Sequence, residues 1–398
     1  MPPLDPDAFQ LALGYPAYAT AFATQRHLVV AGGGGEGKNG VANKISVLDV
    51  DPTTKDITVL AEKILAKDED SPTSLAVSPS GVIAAGINIG TAALKSGSVN
   101  DHLRLFTLES DNRIEAHSRQ SVFEPEDTTP LADVFQKTTR FSPRGKYLAI
   151  SSSDGVLHVL AYPSLEPMFP AVATYNEADD TRRIEIQDVD FSPDEKVLVY
   201  ATSTAVVLLD ATDGRVLSSH YPPPASNFRG VRYVAPDMLV LVANHARRKG
   251  ASLLKLTLPP TAVITAARAS RGLHRGIAAA TAFDARGTLA AVAGADLSVS
   301  LVSVSTLQEL KVVRNAHDFA ITGIALNASC TAMASVSVAQ TVTVVGVSAS
   351  VIAAAQRSSS WDMLQVFYML VFMGILIAAV ALQSWVVNTL APVEEQQG

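Results

Sequence analysis

Phe141-Ser-Pro-Arg-Gly-Lys-Tyr-Leu-Ala-Ile150 and Phe191-Ser-Pro-Asp-Glu-Lys-Val-Leu-Val-Tyr200 are two copies of one unit. Each holds an apolar start, a turn and a second apolar run. Pro presets one turn dihedral, and Gly supplies the left-handed position, so the step reads as a hairpin. Ala76-Val-Ser-Pro-Ser-Gly-Val-Ile-Ala-Ala85 and Phe283-Asp-Ala-Arg-Gly-Thr-Leu-Ala-Ala-Val292 match it, and weaker copies begin near Phe22, Tyr233 and Leu326. Seven units thus recur at intervals of 42 to 65 residues. Most carry a third apolar run, as in Val156-Leu-His-Val-Leu160, Val206-Val-Leu-Leu-Asp210 and Leu297-Ser-Val-Ser-Leu301. Four-stranded units at this spacing predict an all-β, seven-bladed, WD-like β-propeller over residues 1–356. A pair of β-sandwiches is the competing architecture, but one period repeated seven times is hard to divide between two sandwiches. No Trp-Asp dipeptide lies within the repeats, so they are degenerate. Closure of the last blade is open between residues 9–13 and residues 347–352.

Working outward, the composition narrows the function. The chain has 398 residues, 48% of them apolar, and a formal net charge of −7. That balance argues against a general nucleic-acid binder. Cys330 is the single cysteine, so no intramolecular disulfide forms and a reducing compartment is expected for the repeats. The eight histidines are scattered, with none at metal-ligand spacing to another or to Cys330. Spacing alone assigns no nucleophilic triad. Covalent enzyme chemistry is therefore not expected. The charged stretches 60–71 and 109–137, and the cluster Arg247-Arg248-Lys249, read as solvated surface.

No basic, apolar leader precedes Asp5, so no signal peptide is expected. Val366 to Leu382 is a run of 17 residues without charge. The span 364–387 is long enough for one transmembrane helix, after a juxtamembrane linker at 357–363 and before a short tail at 388–398. Arg357 precedes it, and only Glu394 and Glu395 follow, which places the repeats in the cytosol and the tail on the far side.

A second stretch stands apart from the repeats. Ala31-Gly-Gly-Gly-Gly-Glu-Gly-Lys-Asn-Gly-Val-Ala-Asn43 follows a strand-like run and holds six glycines in thirteen residues. Gly32 to Lys38 matches the front of a P-loop, and Gly32, Gly34 and Gly37 match a dinucleotide fingerprint. Both motifs need a helix behind the glycines to hold phosphate. Here Asn39 stands where the P-loop needs Ser or Thr, and Lys44-Ile-Ser-Val-Leu-Asp-Val50 reads as a strand. The stretch therefore joins two strands of the first blade, far longer than a tight hairpin needs. Its neutral oxygens, with Glu36 as the lone carboxylate, suit a weakly hydrated monovalent cation better than calcium or magnesium.

Gly14-Tyr-Pro-Ala-Tyr18, Val29-Val-Ala-Gly-Gly-Gly-Gly35, Asn39-Gly-Val-Ala-Asn-Lys44 and Ser71-Pro-Thr-Ser-Leu75 together resemble one family. It comprises the endoplasmic-reticulum exchange factors that start COPII coat assembly, the prolactin regulatory element-binding protein family. The resemblance implies a single-pass protein of that membrane, with a cytosolic propeller and a lumenal C-terminus. It implies guanine nucleotide exchange, GDP for GTP, on the small GTPase of the COPII coat, with no nucleic acid and no small-molecule substrate. It also implies potassium as cofactor, held mostly by backbone carbonyls among Gly32, Gly34, Gly37, Asn39 and Asn43. Asn43 is then the first residue expected to be critical for exchange, followed by Asn39, Gly40 and Val41. The alternative is a membrane-tethered propeller scaffold without exchange activity.

Overall fold

A computed structural model describes residues 4–390, apart from 38–39, 124–133, 177–178, 222–225, 246–249, 259–265, 270–272, 274–275, 285–286 and 357–359. Asn39, the Arg247-Arg248-Lys249 cluster and residues 124–133 lie outside the described residues. The reading of 109–137 as solvated surface is corrected where it is described, because Ile114–Gln120 form a blade strand and Ile114, Phe123, Val134 and Gln136 are buried. The first strand is β1 (Ala8–Ala12). Blade 1 is β2 (Ala17–Phe22), β3 (His27–Gly32), β4 (Lys44–Asp51) and β5 (Asp56–Ile64). Blade 2 is β6 (Ser74–Val77), β7 (Ile83–Gly86), β8 (Leu103–Leu108) and β9 (Ile114–Gln120), with a short helix α1 (Thr91–Lys95) between β7 and β8. Blade 3 is β10 (Gln136–Phe141), β11 (Tyr147–Ser152), β12 (Val156–Ala161) and β13 (Val172–Ala173). A small hairpin, β14 (Tyr175–Asn176) with β15 (Asp179–Arg183), leads to blade 4: β16 (Ile186–Phe191), β17 (Val197–Thr202), β18 (Val206–Asp210) and β19 (Val216–His220). Blade 5 is β20 (Ser226–Ala235), β21 (Met238–His245), β22 (Ala251–Thr257) and β23 (Ala266–Ala269). Blade 6 is β24 (Ala278–Phe283), β25 (Leu289–Gly294), β26 (Val299–Ser303) and β27 (Glu309–Val313). Blade 7 is β28 (Ile321–Leu326), β29 (Ala332–Ser337) and β30 (Thr341–Gly346), completed by β1.

The inner strands close a ring. β2 contacts β6, β6 contacts β10, and the series runs through β16, β20, β24 and β28 back to β2. Seven blades are therefore present, as the repeats predict. The open question of closure resolves in favour of the N-terminus. β1 pairs antiparallel with β30, from Ala8 opposite Val345 to Ala12 opposite Thr341. The other candidate segment forms helix α2 (Ala349–Ala355) instead.

Turn chemistry fixes the inner hairpins. Ser142 Oγ accepts the N–H groups of Lys146 and Tyr147 at 3.0 Å each. Ser192 Oγ accepts that of Val197 at 3.0 Å, and Asp284 Oδ1 accepts that of Leu289 at 2.7 Å. Gly81, Gly145 and Gly287 have positive φ at the matching position, where blades 4 and 7 place Glu195 and Cys330.

The core lies between blades. Leu28 and Val30 of β3 pack toward blade 7 with Ala332 and Val342, while Val29 and Ala31 pack toward blade 2 with Ile83 and Phe106. Side chains alternate across a strand, so a strand covered on both faces becomes a continuous apolar run. This explains His27-Leu-Val-Val-Ala31. Seven such clusters each seal one interface between neighbouring blades.

The chain divides into two compact units, Met1–Ala355 and Gln356–Gly398. The second contains helix α3 (Ser360–Leu390), 31 residues long. Among the described residues no helix is long and apolar enough to cross a membrane, so the fold does not establish the span expected at 364–387. The described side chains of α3 include Tyr368, Phe372, Ile375, Ile377 and Leu382, all exposed.

Candidate functional site

Strand β3 ends at Gly32 and β4 begins at Lys44, so residues 33–43 form the glycine-rich loop at one end of blade 1. Its base rests on the Gly14-Tyr-Pro-Ala-Tyr18 segment. The Gly33 N–H donates to Pro16 O at 2.9 Å. A Cβ on Gly32 would stand 2.1 Å from Pro16 O, so backbone meets backbone there and only glycine fits. Tyr15 is buried and donates to Ser46 Oγ at 2.8 Å. Lys44 Nζ lies over its ring at 4.8 Å and donates to Glu62 Oε1 at 2.8 Å. Burial pushes the Tyr15 phenol well above its usual range, and burial with the nearby Asp70 charge raises Tyr18.

Asn43 holds the loop in shape. Its side chain is buried, and Oδ1 accepts the Gly35 N–H at 2.9 Å. Nδ2 donates to Gly35 O at 3.1 Å and to Glu69 O at 2.9 Å. Gly33 has φ +151°, and a Cβ there would stand 2.2 Å from Asn43 Oδ1, so the amide occupies the space a side chain would need. Asn43 thus joins both limbs of its own loop and ties them to the segment that leads into blade 2.

That segment is also built from charge. Glu69 pairs with Arg104 at 2.8 Å, both side chains largely buried, and accepts the Ala66 N–H at Oε2. Gly90 N–H donates to Asp68 O at 2.6 Å, and Asp70 N–H to Asn88 O at 2.8 Å. The reading of 60–71 as solvated surface is therefore corrected at its C-terminal half. Those residues are a dock between blades, because their carboxylates and carbonyls satisfy donors from both. Glu36, exposed on the loop, accepts the N–H and hydroxyl of Thr91 at the start of α1.

The expected site residues separate by position. Asn43 and Gly32 are buried, Gly34 and Val41 are half-buried, and Gly37 and Gly40 are exposed. Val41 packs against the core shared by blades 1 and 7. Asn39 lies outside the described residues. Asn43 does not present its amide to the surface; its polar atoms are turned to Gly35 and Glu69. Of the expected potassium ligands, Asn43 offers Oδ1 beside Gly35 O and Glu69 O, all neutral oxygens with a second lone pair beyond the hydrogen bond each accepts. The donor chemistry fits a weakly hydrated monovalent cation. Sequence reasoning missed Glu69, Arg104, Thr91 and the part played by Glu36, since each works only across the boundary between two blades.

The end of the propeller that carries the loop is also its apolar end. Val99, Phe135, Tyr175, Tyr221 and Phe319 are exposed. All five lie in connections on the glycine-loop side: the turn between second and third strands, or the crossover to the next blade. The described connections at the opposite end expose no large apolar side chain.

A second concentration of charge lies at the ring's centre. Arg232 and Arg140 line a cavity of about 330 Å³ beside Asp188 and Asp190. Burial raises these carboxyls to about 7 and about 6. Val231 N–H donates to Asp188 Oδ2 at 3.0 Å and Tyr233 N–H to Asp190 Oδ2 at 2.8 Å, so the pair stitches blades 4 and 5. Among the described residues no three His, Cys, Asp or Glu gather as a metal site.

Fold and site together define a propeller whose distinguishing feature is a buttressed loop on an apolar end, the architecture of a protein that acts by contact with another. No family model matches the chain. It is 28% identical over 339 residues to the guanine nucleotide-exchange factor SEC12 of Candida glabrata, covering 84% of this chain and 71% of that protein. Putative guanine nucleotide-exchange factors named SED4 match at 27%: one from Candida glabrata over 79% of this chain, one from Saccharomyces cerevisiae over 84%. The chain spans 29% and 30% of the length of those two. Over most of its length the chain is thus similar to SEC12-type exchange factors.

Proposed function

We propose that this protein is a guanine nucleotide-exchange factor for the small GTPase that initiates the COPII coat at the endoplasmic reticulum. The observation that carries the reading is the likeness to SEC12 across 84% of the chain. The buttressed loop supplies a physical means. Exchange needs no covalent step. It needs a surface that binds the nucleotide-free GTPase more tightly than the GDP-bound one, and the difference in affinity drives release. A loop whose base is fixed by Asn43 at Gly35 and Glu69 pays a smaller ordering cost at the moment of binding. Wedged against the GTPase switch elements, it would displace the contacts that hold magnesium and phosphate.

Potassium belongs to the same proposal. Backbone carbonyls of Gly32, Gly34 and Gly37, with Asn39 and Asn43, would hold it. When bound, the ion supplies positive charge that draws the carbonyls inward.

We also assign α3 as a membrane anchor. The support is in the sequence: the span 364–387, with Val366 to Leu382 uncharged, has the length to cross a hydrocarbon core of roughly 30 Å. Its described side chains from Tyr368 to Leu382 are exposed and apolar, and Arg357 on the N-terminal side supports a cytosolic propeller. The test of the exchange reading is GDP release from the GDP-loaded GTPase, with and without the full chain, in potassium and in sodium buffer. Acceleration that is greater in potassium is expected. No acceleration in either buffer would leave the propeller a scaffold.

A further inference from the structure

We infer that Glu36 is a positioning residue that props the outer part of the glycine loop on the neighbouring blade, an inference resting on the exchange reading. The Asn43 amide fixes only the loop's base, at Gly35 and at Glu69 O. Gly37 and Gly40, further out, are exposed and would be free to move. Glu36 lies between these regions and reaches blade 2, where its two carboxylate oxygens accept the N–H and hydroxyl of Thr91. The receiving side is incomplete without it. Thr91 opens α1, and Gly90, the residue before it, has no side chain to satisfy the helix's unpaired N–H groups. Glu36 serves as that cap from another blade.

Gly90 leaves room for the same arrangement. A Cβ there would stand 2.7 Å from Glu36 Oε1 and 3.0 Å from Asp68 O. Any larger residue would push the carboxylate off the helix. Glu36 is also the one carboxylate among residues 31–43, so no other acid of the loop replaces it. The loop is thus braced twice, at its base by the Asn43 amide and at Glu36 by its contact with Thr91 on the next blade.

The test uses the full chain in detergent micelles, with GDP-loaded COPII GTPase below saturation and amide hydrogen exchange read over residues 33–43. A charge-assisted pair of hydrogen bonds sets the expected scale: Glu36→Ala slows GDP release about tenfold and speeds amide exchange in the loop. Thr91→Ala gives a smaller loss, and the double variant is no worse than Glu36→Ala, because both remove one contact. Glu36→Gln, which keeps an acceptor for the N–H, recovers most of the rate. A purely structural role would instead lower the unfolding midpoint and spare the coupling. Additive losses in the double variant, or loop protection in Glu36→Ala equal to that of the wild type, overturn the role. Failure of the wild type to accelerate release sinks the exchange reading and leaves the amide-exchange result to judge the brace by itself.

Discussion

Replacing Asn43 with Ala removes three hydrogen bonds and leaves the part-buried carbonyl of Glu69 without its amide donor. A buried group left unpaired costs about 1–3 kcal/mol, so a fall of a few degrees in the unfolding midpoint is expected, with a larger loss of nucleotide exchange. Asn43→Asp should be worse. It turns the donating Nδ2 into a carboxylate oxygen facing Gly35 O and Glu69 O, both acceptors. Exchange by Asn43→Asp at the wild-type rate would show that the amide does not hold the loop. His317 gives a second prediction. It is buried between Thr341 Oγ1 at 2.7 Å and Ser335 Oγ at 2.8 Å, and burial lowers its pKa to about 4. The unfolded chain binds this proton near pH 6.5, before the folded chain does. Its contribution is therefore full above 6.5 and is lost as pH falls toward 4. Asp188 and Asp190, held above their usual range, act with the opposite sign across that window. The clean measurement is the difference between wild type and His317→Gln, whose unfolding midpoint should fall less from pH 7 to pH 5. At this scale the sequence revealed Asn43 only through resemblance. Its action was hidden because Glu69 stands 26 positions away and in another sheet's approach.

Strands and turns were legible where their causes are local. The Ser-Pro turns announce hairpins because Ser142 and Ser192 bond backbone groups four or five residues on. Closure was not legible, since β1 and β30 meet across the whole length of the propeller, with Gln10 Nε2 donating to Thr343 Oγ1 at 3.0 Å. Removing residues 1–12 should uncover the β30 edge and the apolar faces beneath Phe9 and Leu11. A drop in the unfolding midpoint of several degrees, with association through the exposed edge, is expected by calorimetry and sedimentation. An unchanged midpoint would mean that β1 is dispensable. Residues 60–71 misled for a related reason. Charged composition suggests solvent, but Glu69 finds Arg104 on a neighbouring blade, which no local pattern encodes. For α3, placing Arg at both Gly374 and Ile377 should release the protein from alkali-washed membranes, since each charge opposes insertion by about 2.5–3.5 kcal/mol. Retention of the double variant would contradict the anchor.

On the scale of the propeller, its two ends differ. Glycine loop, inter-blade dock and exposed Val99, Phe135, Tyr175, Tyr221 and Phe319 share one end. The propeller unit terminates at the other, where Ser305 Oγ donates to Ala355 O at 3.2 Å. The seven inter-blade cores make this platform rigid, so a loop fixed to two blades moves little when a partner binds. Such an arrangement suits a protein that changes another protein's nucleotide affinity, because binding energy goes into the partner's distortion. The direct measurement is the rate of GDP release from the COPII GTPase in potassium buffer, with no addition, with wild-type chain and with Asn43→Ala. Release accelerated by the wild type and lost in Asn43→Ala is the predicted result. A wild-type rate no faster than the GTPase alone would contradict it.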